Sequence, residues 1–238
     1  MVVYSTLSVY TNFLTPSEKL KYTPPERIVS PNLAVAGPIV DAMRFVAHEP
    51  DLREMYANLL ATSMDANIAR NAHPAFVEII RQLTADEAKI LEVVAYEESV
   101  NISDVFKTEP GSDRPVYNLK YMNLAELSEC SFSGLIPSYL DNLRRLGLTQ
   151  HRNNGRHRLD FNPDGTTRYY KTEGMSFDSP IDDPKLIEVV KLLFADELED
   201  AEGKYVRVDI MSEYVELTFL GGQFAGACIL TPDQIELD

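Results

Sequence analysis

The stretch from residue 24 to residue 94 constrains the fold more than any other part of the chain, because it predicts four helices in succession. The second is the clearest, with apolar side chains spaced three and four residues apart on one stripe: Leu52, Met55, Tyr56, Leu59, Leu60 and Met64. Few side chains in this stretch are typical of catalysis. It therefore indicates a packed helical bundle and says little about chemistry.

Prolines and capping residues predict where these helices begin. The first helix is expected over residues 33–48. Asp51, which follows Pro50, is expected to cap the second helix. Pro74 marks the start of the third, since proline is favoured in a first helical turn. Thr84 and Glu87 match a capping box, in which each side chain satisfies a backbone N–H group at the start of the fourth helix.

The rest of the chain predicts both helices and strands. Residues 98–118 indicate a loop-rich break, and two helices are expected at 123–129 and 133–146. Two short alternating runs on either side of Asn153-Asn154-Gly155 are typical of a β-hairpin. Beyond it, the chain predicts polar turns at 163–182, an amphipathic acidic helix at 183–199, strands at 205–210 and 214–218, and a short helix at 221–229.

This order of elements is expected of a winged helix-turn-helix. We predict an α+β fold, mainly α, with an N-terminal helical bundle followed by a winged-helix-like domain that has a small antiparallel sheet. The expected divisions are an arm or linker at 1–31, a helical domain at 32–97, and a winged-helix-like domain at 98–238 into which the acidic helix at about 183–199 is inserted. The alternative is a helical bundle with a small sheet appended.

Composition argues against several classes of protein. Hydrophobic residues make up 45% of the 238, which is enough for a packed core. No apolar run reaches the roughly 18–20 residues that span a bilayer, and the first residues lack the basic region of a signal peptide. Cys130 and Cys228 have no CxxC partner, so we expect two reduced thiols in a cytoplasmic protein.

Charge is distributed unevenly along the chain. The net charge of −15 disfavours general attraction to nucleic acid or to anionic membranes. Residues 142–159 nevertheless contain five arginines, two histidines and no acid, whereas residues 178–202 are strongly acidic. The candidate residues for binding nucleic acid or a protein partner are Arg144, Arg145, His151, Arg152, Arg156, His157 and Arg158.

Two interpretations of this basic run remain open. If the winged-helix prediction holds, Arg152, Arg156 and Arg158 lie on the wing and contact phosphates. The preceding helix is nearly neutral, however, and Asn142 alone is a poor set of base-reading side chains. The other interpretation is that the basic run pairs with the acidic helix at 183–199, in the same or another subunit.

Other candidate chemistry has simpler explanations. His73 precedes a helix and is expected to cap or pack there rather than to act as a base or ligand. Acids such as Asp51 and Glu54 are typical of first helical turns and dipole partners. Gly221-Gly222 lacks the spacing of a phosphate-binding loop and indicates close packing. Four histidines and two cysteines lack zinc-ligand spacing, so we predict no catalytic, metal or cofactor site.

Four blocks of the sequence carry a family resemblance. The runs are PDLREMYANLLATSMD, HPAFVEIIRQLTADEAKIL, YLDNLRRLGL and VELTFLGGQFAGAC, and together they reach from about residue 24 to residue 228. The chain resembles the Abi-alpha (abortive infection alpha) family of bacterial proteins, a domain of unknown function. The resemblance implies a role in defence against phage, in which an infected cell stops growing or dies, and it brings no known active site.

Two hypotheses of function follow. The first is a non-enzymatic module that binds a protein partner or itself, with a homo-oligomer expected and no cofactor. The alternative is a winged-helix regulator that binds nucleic acid through its arginine-rich wing.

Overall fold

The computed structural model describes residues 19–21, 23–46, 48–97, 99–108, 115–120, 122–161, 167–172 and 206–230. Most of the predicted N-terminal arm and the whole of the predicted acidic helix at 183–199 lie outside these residues.

The helices of the described residues are α1 (Leu33–Met43), α2 (Pro50–Met64), α3 (Ala75–Ile80), α4 (Ala85–Tyr96), α5 (Met122–Ser128), α6 (Ile136–Arg145) and α7 (Phe219–Cys228). The four helices predicted before residue 98 are therefore confirmed, although α1 ends earlier than expected. Short 3-10 turns precede α1 at Pro25–Arg27, α3 at Ala69–Asn71 and α6 at Ser133–Leu135.

Local capping explains why the helices begin where they do. Asn32 accepts a hydrogen bond from the backbone N–H of Ala34 at 2.9 Å at the start of α1. Pro50 is the first residue of α2, so the predicted cap at Asp51 is wrong: Asp51 lies within the first turn, and the capping position is Glu49, whose side chain makes no capping hydrogen bond. The predicted capping box of α4 is present, since Glu87 N donates to the Thr84 hydroxyl at 3.2 Å and Thr84 N donates to the Glu87 carboxylate at 2.6 Å.

The last helix is fixed against the second by buried polar side chains. Asn58 Nδ2 donates to the carbonyl of Cys228 at 3.0 Å, and the Thr62 hydroxyl donates to that of Ala227 at 3.0 Å. These bonds satisfy carbonyls at the C-terminal end of α7, which have no intrahelical partner. The end of the chain therefore packs onto the helical part formed by its first half.

The described strands form one antiparallel sheet in the order β2-β1-β5-β3-β4. Their bounds are β1 (Ser99–Thr108), β2 (Pro115–Lys120), β3 (Thr149–Phe161), β4 (Thr167–Thr172) and β5 (Val206–Leu217). The central strand β5 comes last in the chain and pairs with both β1 and β3. One hydrophobic core joins the sheet to the helices, from Val35 in α1 through Val215 in β5 to Ile229 after α7.

The prediction of a loop-rich break at 98–118 is wrong, because this segment contains β1 and part of β2. Val100 and Ile102 alternate with polar residues and are buried, but the alternation is short, because Asp104 stands where the next apolar residue would be expected. The hydrogen-bonded partner of β1 is also distant in sequence, since Ser99 pairs with Glu216. Propensity within the segment therefore could not reveal the strand.

The hairpin predicted at Asn153-Asn154-Gly155 is also wrong. Strand β3 runs through these residues, and its register against β5 shifts between Asn153 and Gly155 as a β-bulge. A glycine inside a strand often marks such a bulge. The second half of β3 pairs instead with β4, which lies where polar turns were expected. The two strands predicted at 205–210 and 214–218 are the single strand β5.

Close packing joins the start of α7 to the residues before β3. The Thr218 hydroxyl accepts from Gly221 N at 2.9 Å and also bonds the carbonyl of Gly147. A Cβ atom at position 221 would lie 1.9 Å from the carbonyl oxygen of Leu148, so only glycine fits. The close packing predicted for Gly221-Gly222 is thus confirmed at the first of the two.

The α+β class, with more helix than strand, is confirmed. None of the helices that the structure describes is long and apolar enough to cross a bilayer. Cys130 and Cys228 are both free thiols, as expected, and complete burial raises the pKa of Cys228 well above its ordinary value.

Candidate interaction surfaces

The predicted basic residues lie on two different elements. Arg144 and Arg145 occupy the last turn of α6, where positive charge favours the negative end of the helix dipole. The other five, His151, Arg152, Arg156, His157 and Arg158, all lie on strand β3. They are therefore spread along an extended strand rather than gathered at the tip of a hairpin.

Acids of β5 lie beside the first two basic residues of β3. Arg152 Nη2 lies 2.9 Å from Glu216 Oε2, and its guanidinium carbon lies 6.0 Å from the centre of the Tyr214 ring. His151 Nδ1 lies 3.1 Å from Glu213 Oε2. Strand pairing thus brings acids to these residues that the sequence analysis did not consider.

The remaining basic residues of β3 have defined register positions. Arg156, His157 and Arg158 pair through their Cα positions with Met211, Ile210 and Asp209 of β5. On the other side of β3 they pair with Thr172, Lys171 and Tyr170 of β4. The end of the basic run therefore lies within the sheet, between two strands, and not at its edge.

Asn142, a typical base-reading residue on α6, is engaged in packing α6 against α4. Its Nδ2 atom donates to Glu87 Oε1 at 2.7 Å and to the carbonyl of Gln82 at 3.1 Å. Arg145 completes the network, donating to Asn142 Oδ1 at 2.7 Å and to Gln82 Oε1 at 3.1 Å. In this network Arg145 donates to neutral amide oxygens, and Asn142 connects it to the carboxylate of Glu87. Arg144 and Arg145 are both exposed.

A buried carboxylate organises the turn between α5 and α6. Asp86 accepts hydrogen bonds from Ser131 N at 2.9 Å, Phe132 N at 3.0 Å and the Tyr139 hydroxyl at 3.2 Å. Burial alone would raise the pKa of Asp86, but these three donors favour the charged form and together lower it. The backbone of the turn is therefore held in one conformation.

This fixed turn presents two large apolar side chains to solvent, which we call the apolar pair. Phe132 is 64% exposed and Leu135 is 49% exposed. Exposed apolar side chains at a rigid turn are typical of surfaces that bind another protein.

An acidic groove of about 430 Å³ lies beside the second half of α4, between the start of α2 and the end of α5. A smaller cavity of about 110 Å³ continues it toward the end of α7 and shares Asp51, Glu92 and Tyr96 with it. The charged side chains that line the two are Asp51, Glu54, Lys89, Glu92, Glu97 and Glu129. Tyr96 and Leu127, both exposed, supply apolar surface.

Like charges interact within the acidic groove. Partial burial raises the pKa of Glu92, and the carboxylates of Glu54 and Asp51 raise it further, while Lys19 opposes them. Lys19 also pairs with Glu54 at 2.7 Å. The i, i+4 spacing of Glu92 and Tyr96 is readable in the sequence, but the packing of α2 and α5 around them is not.

The simpler explanations of other polar residues are supported. His73 Nδ1 accepts from Ala75 N at 3.1 Å, which makes it a helix-entry residue. Asp65 is buried and pairs with Arg27 at 2.6 Å. Within the described ranges, no three His, Cys, Asp or Glu side chains are grouped so that they could hold a metal ion.

The fold and these surfaces define a helix-rich α+β protein that presents both apolar and charged side chains to solvent. The family model for abortive infection alpha matches residues 8–228. The chain therefore belongs to the abortive infection alpha family.

No curated protein matches the chain. Among solved structures, an uncharacterized protein from the hydrocarbon-degrading marine bacterium Alcanivorax borkumensis SK2 is similar with 18% sequence identity. The match covers 63% of this chain and 92% of that chain, with a TM-score of 0.32. A TM-score of this size does not establish a shared fold.

Proposed function

We propose that this protein acts in abortive infection as a non-enzymatic module that works by binding another protein. The observation that carries the proposal is the apolar pair, Phe132 and Leu135, held outward on the turn between α5 and α6. Full burial of a large apolar side chain stabilises by about 1.5–3 kcal/mol, and roughly half of that is forgone at each of these two partly exposed residues. A partner that covers them would recover that energy.

The place of the apolar pair in the fold supports a protein partner over nucleic acid. Helices α4, α5 and α6 followed by β3 and β5 have the order of a winged helix-turn-helix, with the β1–β2 hairpin as an insertion. In that arrangement α6 is the helix that would read DNA. Its first turns are apolar and neutral, and its Asn142 side chain is engaged by Glu87.

Nucleic-acid binding through β3 has less support. Arg152 is already paired with Glu216, and His151 with Glu213. Contacts to phosphates would have to replace these pairs, at the cost of leaving two carboxylates close to the nucleic acid.

The test is a plaque assay with F132D/L135D in a host that the wild-type protein protects. We expect this variant to lose protection because the charged side chains cannot be covered by an apolar partner surface. Its melting temperature should stay close to that of the wild type, since both side chains are exposed. A partner recovered with the wild type and not with the variant would identify the bound protein.

The matched control is Phe45→Asp, at an aromatic side chain that is 80% exposed but lies after α1. This control should keep full protection. If F132D/L135D folds and protects as well as the wild type, the turn between α5 and α6 is not the binding surface and the proposal fails.

A further inference from the structure

The geometry points to head-to-tail self-association, in which a basic end of one copy docks into the acidic groove of the next. This inference rests on the proposed function, since it names a second copy of the chain as one protein that the module binds. The basic end is defined by four residues: Arg144, Arg145, Phe219 and Leu220.

The basic end is one continuous surface at the junction of α6 and α7. Thr218, which directly precedes Phe219, bonds the carbonyl of Gly147 just after α6. A Cβ atom at Gly147 would lie 3.6 Å from a methyl carbon of Leu220, so the start of α7 touches the end of α6. Phe219 is 86% exposed, and both arginines are exposed as well. Arginine with an aromatic residue is a common anchor of protein interfaces.

The acidic groove has the opposite character. Five carboxylates line it and its extension, against Lys89 as the one cation among the described lining residues. Tyr96 and Leu127 provide an apolar wall for a docked aromatic ring. Its volume of about 430 Å³ is within the range of about 300–1,000 Å³ typical of pockets that hold a ligand.

The two surfaces lie at opposite ends of the same helices. Arg145 contacts Gln82, just before α4, whereas the groove is formed by the second half of α4 and by Glu97 after it. Phe219 begins α7, whereas Cys228, the last residue of α7, lines the extension of the groove. Helix α4 is about 18 Å long, and the groove with its extension follows it from Ala88 to Glu97. Both surfaces are fixed to the same packed helices, so they cannot meet within one copy. Two complementary surfaces at different places on one molecule join successive copies.

Helix α4 adds to the negative charge of the groove. Its C-terminal end lies there, where backbone carbonyls place partial negative charge, and its last turn contains no basic residue. The start of α2 also borders the groove and the last turn of α6 carries the arginines of the basic end, with dipoles of the opposite sign, so the complementarity rests on the charged side chains. Docking would bring each carboxylate cluster close to arginine and relieve the repulsion around Glu92.

The experiment is a charge exchange followed by sedimentation velocity over a range of concentrations. The groove variant is E92R/E97R and the basic-end variant is R144E/R145E. We expect the wild-type chain to form larger species as concentration rises. Each variant alone should associate more than about 100-fold more weakly, because it places like charges opposite one another. An equimolar mixture of the two variants should recover assembly, since each supplies the charge that the other lacks.

The matched control is E26R/D41R, which changes the net charge as much as E92R/E97R does, but at exposed acids outside both surfaces. It should associate like the wild type. A wild-type chain that stays monomeric, a variant that associates normally, or folded variants that do not assemble when mixed would each overturn the inference.

The same variants distinguish a failure of head-to-tail association from a failure of the proposed function. If the charge variants are monomeric yet protect, while F132D/L135D does not protect, self-association is unnecessary but binding through the apolar pair stands. If F132D/L135D protects and the charge variants do not, the proposed partner surface fails while head-to-tail association is retained. A basic segment of another protein would bind the acidic groove without needing Arg144.

Discussion

At the scale of the residue, Asp86 shows how a buried charge can hold a turn. Asp86 is only 5% exposed, and its carboxylate accepts hydrogen bonds from two backbone N–H groups and one hydroxyl. Charge-assisted hydrogen bonds of this kind are stronger than neutral ones. The turn that carries the apolar pair therefore depends on one acid of α4.

We expect Asp86→Asn to lower the free energy of unfolding at pH 7 by about 1–3 kcal/mol, because an amide accepts fewer hydrogen bonds and turns a donor toward the backbone N–H groups. Denaturation in urea measures the change. Asp41→Asn, at an exposed position on α1, is the control and should leave the stability unchanged.

The same residue predicts a dependence on pH. The pKa of Asp86 is lower in the folded protein than its ordinary value of 3.8. Its stabilisation is therefore fully present above that value and is lost as the pH falls through the folded pKa. The wild type should lose stability more steeply than Asp86→Asn below about pH 4. Parallel curves for the two proteins would show that Asp86 is not responsible.

At the scale of the element, the contact between α7 and the start of β3 depends on the absence of a side chain. The carbonyl of Leu148 occupies the place where a Cβ atom of residue 221 would be. The same carbonyl accepts from Thr218 N at 3.0 Å, so it cannot move away without breaking the cap of α7.

We expect Gly221→Ala to lower the free energy of unfolding by about 1–3 kcal/mol, as overpacking does. Gly222→Ala is the matched control, since no atom lies within 4 Å of its added Cβ. Alanine there should be neutral or stabilise α7 by up to about 1 kcal/mol. Equal melting temperatures for the two variants would contradict the close approach at residue 221.

Elements whose signals are local were predictable. Helices α2 and α4 combine a proline or capping box with an apolar stripe, so neighbouring residues alone fix their limits. Strands β1 and β3 were not predictable in the same way. Their ladders form with β5, which follows much later in the chain, and the Asn-Gly pair that favours a turn is accommodated in β3 as a bulge.

At the scale of the whole molecule, an acidic protein carries a basic strand that its own acids partly neutralise. The sequence indicated the cluster of five arginines and the net charge of −15. It did not indicate that Glu216 would pair with Arg152, because that contact requires β3 and β5 to be neighbours. The charge that β3 presents to solvent therefore depends on which strand lies next to it in the sheet.

From this we expect no salt-dependent binding of duplex DNA. Fluorescence anisotropy with a labelled duplex at 50 and 200 mM salt measures it. A wing whose three arginines contact phosphates would lose affinity by about 40-fold over that range, since the slope of log affinity against log salt is about −0.9 for each contact. Such a loss, together with the disappearance of binding in the folded variant R152E/R156E/R158E, would contradict the expectation and restore the regulator hypothesis.

The sequence by itself determined the helices, most of their starts, the α+β class and the family, because apolar stripes, capping residues and family motifs are each formed by residues close together in the chain. Only the tertiary structure decided which surfaces exist. The acidic groove needs α2, α4 and α5 packed side by side, and the basic end needs α6 to meet α7. Both are built from residues far apart in the chain, which packing alone brings together.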